Sequence, residues 1–374
     1  MSGIYIHIPF CKQRCYYCDF HTSVVMKNIE QMIIAMKNEM LQRKDFLGNE
    51  EIETIYFGGG TPSLMRKSDF IELIGELKKF FNVNPKAEIT IEANPDDLSS
   101  EYLRDLKETG INRLSIGIQS FNDVLLKLLN RRHNSEQAVK CVKEAVDIGF
   151  ENITVDLIYG LPGLDIKMWE NTLDKAFALP IKHLSAYHLT FEPNTVLTNF
   201  LKSGKIKEID EELSIEQFKM LIKKSGERQF IHYEISNFAK AGWISKHNSS
   251  YWQGKKYLGI GPSAHSFDGT VRQWNISDNK IYIENVLNNG SYFEYEVLTK
   301  QNQYNEYVMT SLRTMWGLDL DYVNNFFEKE YHTHFLQRIE RYIKDDKAIL
   351  ENNKIILTDP GKIISDKIIS DLFI

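Results

Sequence analysis

The sequence predicts an α/β protein, a partial barrel of six parallel βα units followed by a small, mainly helical C-terminal domain. Six short β-rich runs alternate with apolar-periodic helical runs from the start of the chain to about residue 205. Six units are fewer than the eight of a closed barrel, so we expect an incomplete one. Beyond residue 205 the alternation stops. A doubly wound open sheet is the alternative arrangement of the same units.

The six predicted strands are short runs rich in β-branched and aromatic residues. They cover residues 4–8, 54–57, 88–92, 113–118, 153–158 and 184–189. Helical patterns fill the intervals, and capping residues mark several ends. Ser68 precedes the helix predicted at 69–81, and Gly149 follows the one at 135–148. Parallel strands joined by helices are expected to cross over in the right-handed sense.

The rest of the chain predicts two further parts. Residues 205–230 read as one charged helix, and 231–300 as an irregular, aromatic segment. Helices predicted at 304–316, 319–329 and 333–346 precede a hairpin with its turn at Asn352-Asn353, and a last helix at 359–372. We therefore expect three domains: a barrel at 1–205, a barrel-flanking segment at 206–300, and a winged-helix-type domain at 301–374.

Composition limits the class of protein. The chain has 374 residues, of which 43% are hydrophobic, and a net charge of −6, so general attraction to nucleic acid is not expected. No signal peptide and no membrane-spanning run of about 18 apolar residues is visible. We expect a cytoplasmic protein, with loose contact with the inner face of the membrane left open. The oligomeric state is also left open.

Three of the four cysteines lie within eight residues, at Cys11, Cys15 and Cys18, directly after the first predicted strand. A disulfide would use two of them and leave one over. A structural zinc site needs four ligands, and no second Cys/His pair follows at zinc-finger spacing. Three thiolates from one loop suit an iron–sulfur cluster in which one iron has no protein ligand. The trio therefore predicts a metal cluster with an open position for chemistry.

Most other candidate residues lie at the ends of the predicted strands, and Asp156 lies within the fifth. Carboxyl ends of parallel strands share one mouth, so these residues are expected to meet there. Glycines let the backbone approach a ligand, and carboxylates or amides accept bonds from ribose hydroxyls or an amino group. The candidates are Gly58, Gly59, Gly60, Thr61, Glu92, Gln119, Arg131 and Asp156.

The spacing C-x-x-x-C-x-x-C after a first strand, with a glycine run after the second, resembles the radical S-adenosylmethionine (SAM) superfamily. The runs Tyr5-Ile6-His7-Ile8-Pro9-Phe10-Cys11 and Phe57-Gly58-Gly59-Gly60-Thr61-Pro62 narrow the resemblance to the oxygen-independent coproporphyrinogen III oxidase group. It covers nearly the whole chain. It implies a 4Fe-4S cluster on Cys11, Cys15 and Cys18, with SAM on the remaining iron. It also implies SAM contacts at Tyr5, Gly58, Gly59, Gly60, Thr61, Glu92, Gln119, Arg131 and Asp156.

Two features depart from the true oxidases. Those enzymes carry a fourth cysteine two positions after the third, where this chain has Phe20. They also carry a long N-terminal segment that helps to hold porphyrin, whereas only ten residues precede Cys11. Both departures weaken the hypothesis of an oxidase that decarboxylates coproporphyrinogen III.

The run His247-Asn248-Ser249-Ser250-Tyr251-Trp252 indicates a different role. A histidine beside aromatic residues suits an axial haem ligand, although a surface-loop histidine is the simpler interpretation of the residues alone. Together with C-x-x-x-C-x-x-C-x-F, this run resembles the HemW haem chaperone subgroup. The resemblance implies haem binding at His247 and transfer of haem to acceptor proteins, without oxidase activity. The oxidase, or a radical enzyme with a non-porphyrin substrate, remains the alternative.

Overall fold

Six parallel strands joined by helices form the first half of the molecule, as predicted. A computed structural model of the chain describes residues 2–374. The elements in chain order are β1 (Ser2–Ile8), α1 (Ile29–Gln42), β2 (Ile52–Gly59), α2 (Lys67–Phe80), β3 (Val83–Ala93), α3 (Ser100–Glu108), β4 (Arg113–Gln119), α4 (Asp123–Leu128), α5 (Ser135–Asp147), β5 (Asn152–Tyr159), α6 (Ile166–Ala178) and β6 (His183–His188). Strands β1 to β6 pair in sequence order, each parallel to the next.

The middle of the chain extends this sheet at both edges. Its elements are α7 (Val196–Lys202), α8 (Glu211–Glu227), β7 (Ile231–Glu234), β8 (Asn237–Ala239), α9 (Lys246–Trp252), β9 (Tyr257–Ile260), β10 (His265–Phe267), β11 (Val271–Asn275), α10 (Asn279–Leu287) and β12 (Phe293–Val297). Strand β9 runs parallel to β1, and β8 pairs antiparallel with β6. The result is one sheet of twelve strands in the order β12-β11-β10-β9-β1-β2-β3-β4-β5-β6-β8-β7.

The last part of the chain has a hydrophobic cluster of its own, built around Tyr304, Phe335 and Ile368. Its elements are α11 (Lys300–Leu312), β13 (Leu318–Asp319), α12 (Leu320–Phe326), α13 (Lys329–Lys344), β14 (Ala348–Glu351), β15 (Lys354–Leu357), α14 (Asp359–Ile363) and α15 (Ser365–Leu372). The three strands form a small antiparallel sheet. The α/β fold class, a partial barrel with a mainly helical accessory part, is confirmed.

The main hydrophobic core lies between the outer face of the sheet and the helices. Ile4, Ile6 and Ile8 alternate along β1, and Leu114 and Ile116 do so along β4; all five are buried in this core. Alternation places the residues between them on the opposite face. Burial of apolar surface in this outer layer therefore holds the helices onto the sheet.

The inner face of the barrel is mostly polar. The residues that line its cavity from the five strands β2 to β6 include Tyr56, Glu92, Ser115, Gly117, Gln119, Asp156, Ile158, Ser185 and Tyr187. Ala93 of β3 also lines it, and only Ala93 and Ile158 among these strand residues have aliphatic side chains. The lumen is therefore built as a binding site rather than as a packed core.

Three element predictions were wrong in detail. The charged helix predicted at 205–230 is present but shorter: α8 begins at Glu211, after Asp210, whose carboxylate caps it, and ends at Glu227. Residues 231–300 are not irregular: they contain six short strands and two helices. The last predicted helix, 359–372, divides at Ile364.

The remaining helices of the last part are present with shifted bounds. The helix predicted to start at residue 304 begins at Lys300, because the Thr299 hydroxyl caps it by accepting from the Asn302 amide. The predicted hairpin is present, and Asn352 and Asn353 form its turn with φ +49° and +61°. The division into domains at 205 and 300 stays a prediction.

Within residues 2–374, no helix combines the length and the apolar character that crossing a membrane would require.

Candidate functional site

A cavity of about 500 Å³ opens at the carboxyl ends of the six parallel strands. It brings together most of the side chains that the sequence singles out. The predicted site residues that line it are Cys11, Cys15, Cys18, Gly59, Gly60, Thr61, Glu92, Gln119, Arg131 and Asp156. Tyr5 and Gly58 lie behind this lining, and His247 lies elsewhere.

The three cysteines lie in the loop that follows β1 and are not in disulfides. The loop is pinned at its start, because the Cys11 amide donates to the Ser23 carbonyl and the Ser23 amide to the Pro9 carbonyl. Burial raises the pKa of Cys18 to about 11 and raises that of Cys11. The Thr61 hydroxyl, whose Oγ1 lies 3.3 Å from Cys11 Sγ, partly counters the rise in the pKa of Cys11. Arg131 Nη1 lies 3.3 Å from Cys15 Sγ.

This donor set fits an iron–sulfur cluster. Hydrogen bonds from a hydroxyl and a guanidinium stabilise thiolate sulfur, the form that binds iron. Among residues 2–374, no three histidine, cysteine or acidic side chains are placed to hold a single metal ion. In a 4Fe-4S cluster each thiolate binds a different iron, so its ligands lie further apart than those of one ion.

Arg131 links three segments of the cavity wall through hydrogen bonds. Its Nη2 donates to Asn94 Oδ1 and to the Gly117 carbonyl, both at 2.5 Å, while Nη1 reaches Cys15. Gln119, at the end of β4, has φ +66°, an uncommon conformation for a non-glycine residue. Such strain is often retained at binding sites, where the surrounding structure holds it.

Two carboxylates lie deeper in the same wall. Glu92 accepts from the Tyr56 hydroxyl at 2.8 Å and from the Gly59 amide at 3.1 Å. Asp156 accepts from Ser115 Oγ at 3.0 Å. Burial raises the pKa of Glu92 to about 7, with Asp156 adding to the shift, and burial also raises the pKa of Asp156. Both groups can accept from an ammonium or from hydroxyls of a ligand, and a cationic ligand would favour their charged forms.

The glycine run is required by close packing. A Cβ on Gly58 would lie 2.9 Å from ring atoms of both Tyr5 and Tyr56, and one on Gly60 would lie 2.6 Å from the Phe10 carbonyl oxygen. Gly59 has φ +107°. The run therefore passes directly behind the cysteine loop, at a distance that only glycine permits.

His247 lies at the other end of the barrel. It is in the first turn of α9, where the amides of Lys246 and His247 donate to the Glu88 carboxylate. Its Nδ1 is hydrogen-bonded to Thr54 Oγ1 at 2.8 Å, near the start of β2. The sequence had placed this histidine in an irregular segment; the structure places it in a helix with 1% of its surface exposed.

Both ring nitrogens of His247 have partners. Nε2 is hydrogen-bonded to Tyr251 Oη at 2.9 Å, and the ring stacks on Tyr56 with centroids 4.9 Å apart. Burial, with Arg113 adding, lowers the pKa of His247 to about 3, so the imidazole is neutral. Lys246 and Lys255 line a cleft of about 350 Å³ together with Thr54, the partner of His247 Nδ1.

Sequence reasoning missed several residues of the cavity. Tyr56, Tyr187 and Asn248 also line it. Tyr56 could have been found, because it lies two residues before Gly58 on the same strand and therefore on the same face. Asn248 could not, since its place depends on how α9 packs under the barrel.

Phe20 lies at the mouth of the cavity, and 64% of its surface is exposed. It follows Cys18 by two positions, so its side chain borders the space where the cluster would be held. No protein contact in the described chain hides it from a molecule approaching the cysteines.

Comparison with known proteins identifies the family. The radical SAM superfamily matches residues 5–176. The curated haem chaperone HemW of Bacillus subtilis is 34% identical over 375 residues, covering 98% of both chains. HemW of Lactococcus lactis is 32% identical, covering 96% of this chain and 94% of that protein.

A solved structure shows the same fold. Coproporphyrinogen III oxidase (HemN) from Escherichia coli, titled a radical SAM enzyme, superposes with a TM-score of 0.85 and 24% identity, covering all of this chain and 90% of that one. At this identity the likeness establishes the architecture and not the activity. Full-length identity to the two curated proteins is what decides the subgroup: this chain belongs to the HemW haem chaperone family of the radical SAM superfamily.

Proposed function

We propose that this protein is a haem chaperone that binds haem and transfers it to acceptor proteins. The observation that carries the proposal is the match to curated haem chaperones over 98% of the chain. The run from His247 to Trp252, which contains the candidate haem ligand and its aromatic neighbours, lies within that match. The acidic net charge of −6 favours protein acceptors over nucleic acid as partners.

We propose that Cys11, Cys15 and Cys18 hold a 4Fe-4S cluster and that SAM occupies the cavity beside it. When bound, the cluster supplies one-electron chemistry and an open iron. Thr61 and Arg131 would stabilise the thiolates, and Glu92 and Asp156 would accept from the amino group or the ribose hydroxyls of the ligand. The Gly58–Gly60 run, with Tyr5 packed behind it, would bring backbone groups close to the ligand. Gln119 would close the wall at the end of β4.

His247 is the proposed haem ligand. A neutral imidazole is the form that binds iron, and the low pKa of His247 supplies it without loss of a proton. In the conformation described, Tyr251 and Thr54 bond to both ring nitrogens. Haem binding therefore requires one of these bonds to break and α9 to move outward. Trp252, at the end of α9, would be an aromatic neighbour of the bound haem.

The test is a haem titration of purified protein followed by the Soret band. Wild type should bind haem, and His247→Ala should lose most of the band. His265→Ala is the matched control, because His265 is an exposed histidine of the same region. No haem uptake by wild type, or equal uptake by His247→Ala, would contradict the proposal. Loss of haem from loaded protein to a haem-free acceptor tests transfer.

Anaerobic reconstitution tests the cluster. Wild type should take up about four irons per chain, as a 4Fe-4S cluster requires. Cys15→Ala should lose iron and the associated absorbance, whereas Cys141→Ala should not, because Cys141 is buried in α5 away from the cavity. Full iron in Cys15→Ala would show that the ligands are assigned wrongly.

The oxidase alternative is not favoured, because both curated relatives named above are haem chaperones. Incubation with coproporphyrinogen III under anaerobic, reducing conditions with SAM should yield no protoporphyrinogen. Formation of that product would restore the alternative.

A further inference from the structure

Tyr56 is in contact with both proposed binding sites. It lies in the middle of β2, between Thr54, which is bonded to His247, and Gly58, which packs against Tyr5 and Glu92. Its hydroxyl is directed toward the cavity, and its ring lies against the proposed haem ligand. No role for this residue followed from the sequence.

The hydroxyl of Tyr56 sets the position of Glu92. It donates to Oε1 at 2.8 Å, while Oε2 accepts from the Gly59 amide. Glu92 thus faces the cavity in a fixed orientation. A ligand with an amino group would hold Glu92 in its charged form, and hydrogen bonds to charged acceptors are shorter and stronger than those to neutral ones. Occupancy of the cavity should therefore tighten the Tyr56–Glu92 bond.

The ring of Tyr56 holds His247 from one side. The two rings are nearly parallel, with centroids 4.9 Å apart and planes inclined by 23°. Thr54 and Tyr251 fix the two ring nitrogens. Since His247 must leave this arrangement to bind iron, a more firmly held Tyr56 makes its departure harder.

We propose that Tyr56 is a positioning residue that couples ligand occupancy of the cysteine-bearing cavity to the availability of His247. This inference rests on the proposed function, because it assumes haem binding at His247. The coupling is negative: an amine-bearing ligand on Glu92 weakens haem binding. Linkage makes it reciprocal, so haem bound at His247 weakens binding of that ligand by the same factor.

The experiment compares haem affinity with and without saturating SAM, using protein with its reconstituted cluster. In wild type, SAM should weaken haem binding about fivefold or more, the lower end of usual coupling between sites. Tyr56→Phe keeps the ring but loses the hydroxyl. In this variant the ratio of the haem Kd with SAM to the haem Kd without SAM should fall toward one. Tyr187→Phe is the matched control, because Tyr187 lies in the same cavity wall and is hydrogen-bonded neither to Glu92 nor to His247.

A second measurement follows the imidazole itself. In protein labelled with ¹⁵N in histidine, the ring signals of His247 should shift when SAM is added to wild type and stay unchanged in Tyr56→Phe. This readout does not depend on haem, so it decides the coupling even if haem does not bind.

The outcomes separate the two claims. In one outcome His247→Ala loses haem uptake, but SAM does not change the haem affinity of wild type. This result would overturn the coupling and leave the proposed function standing. An equal SAM effect in wild type and Tyr56→Phe would also overturn the role of Tyr56. Absence of haem uptake would overturn the proposed function, and the NMR shift would then decide the coupling alone.

Discussion

Glu92 illustrates how one buried carboxylate affects both binding and stability. Its pKa in the folded protein, about 7, lies above the ordinary value of 4.5, with burial as the main cause. Between these two values the folded chain holds more protons than the unfolded chain, so the free energy of unfolding falls as pH rises through this window. Above pH 7 Glu92 is ionised, so the ligand-free protein is destabilised by the buried charge of this carboxylate.

Glu92→Gln should therefore stabilise the ligand-free protein relative to wild type more at pH 8 than at pH 5, because the amide is neutral at both. Thermal unfolding of the two proteins at the two pH values measures this difference. Glu101→Gln, an exposed carboxyl in the first turn of α3, should show no such difference. If the unfolding temperatures of wild type and Glu92→Gln differ by the same amount at pH 5 and pH 8, the raised pKa of Glu92 is contradicted.

Gly58 lies where the neighbouring rings leave too little room for a side chain. Gly58→Ala should lower the free energy of unfolding by about 1–3 kcal/mol, because its Cβ would push the rings of Tyr5 and Tyr56. Weaker SAM binding should accompany this loss. Gly75→Ala, in helix α2 with open space around it, should instead stabilise by about 0.5–1 kcal/mol. Denaturant unfolding compares the two; equal effects would mean that the Gly58 site relaxes freely.

At the scale of elements, α9 depends on its surroundings more than on its own residues. It has seven residues, Ser245 caps it, and Glu88 of β3 accepts the amides of Lys246 and His247. Helices this short are not stable alone. The element that carries His247 is therefore held by a strand almost 160 residues earlier in the chain.

Glu88→Ala should loosen α9, because the amides of Lys246 and His247 would lose their carboxylate acceptor. Bonds to charged groups contribute about 1.5–3 kcal/mol. Hydrogen exchange should rise in residues 246–252 and reaction of His247 with an imidazole-modifying reagent should speed up. Asp278→Ala is the control, since Asp278 caps α10 by accepting two amides in the same way. Unchanged exchange in α9 would show that Thr54 and Tyr251 suffice to hold it.

The same dependence explains which elements the sequence could predict. Strands β1 to β6 were predicted because buried apolar residues such as Ile4, Ile6 and Ile8 recur along them. Strand β9 has only four residues and is stabilised by pairing with β1, which no local pattern encodes. The cysteines, the glycine run and Glu92 were found because each lies at or directly after the carboxyl end of a strand. The contact of Tyr56 with His247 joins two distant segments, so no local pattern predicts it.

At the scale of the molecule, the chain has two hydrophobic clusters, one around the barrel and one in the last part. They meet through specific contacts: the Met315 amide donates to the Tyr233 carbonyl, and Arg272 pairs with Glu306 at 2.9 Å. Ile363 of α14 also packs against the barrel cluster. Each part nevertheless has a hydrophobic cluster of its own, and separate clusters favour separate cooperative units.

Phe335→Ala should therefore destabilise the last part selectively. Phe335 is fully buried in the second cluster, and removal of such a ring costs about 3–5 kcal/mol. Hydrogen exchange should increase across α11 to α15 while β1 to β6 stay protected. Leu336→Ala, at the exposed neighbouring position, should change little. Equal loss of protection in the barrel would mean that the chain unfolds as one unit and that no domain boundary lies near residue 300.

The polar lumen has a consequence for how such a barrel changes over time. The side chains that hold the sheet to its helices face outward, and those that meet a ligand face inward, so the two sets occupy alternate positions of the same strands. Inward residues can be exchanged with little loss of apolar burial. A new chemistry can therefore arise by substitution at every second position, while the scaffold stays intact.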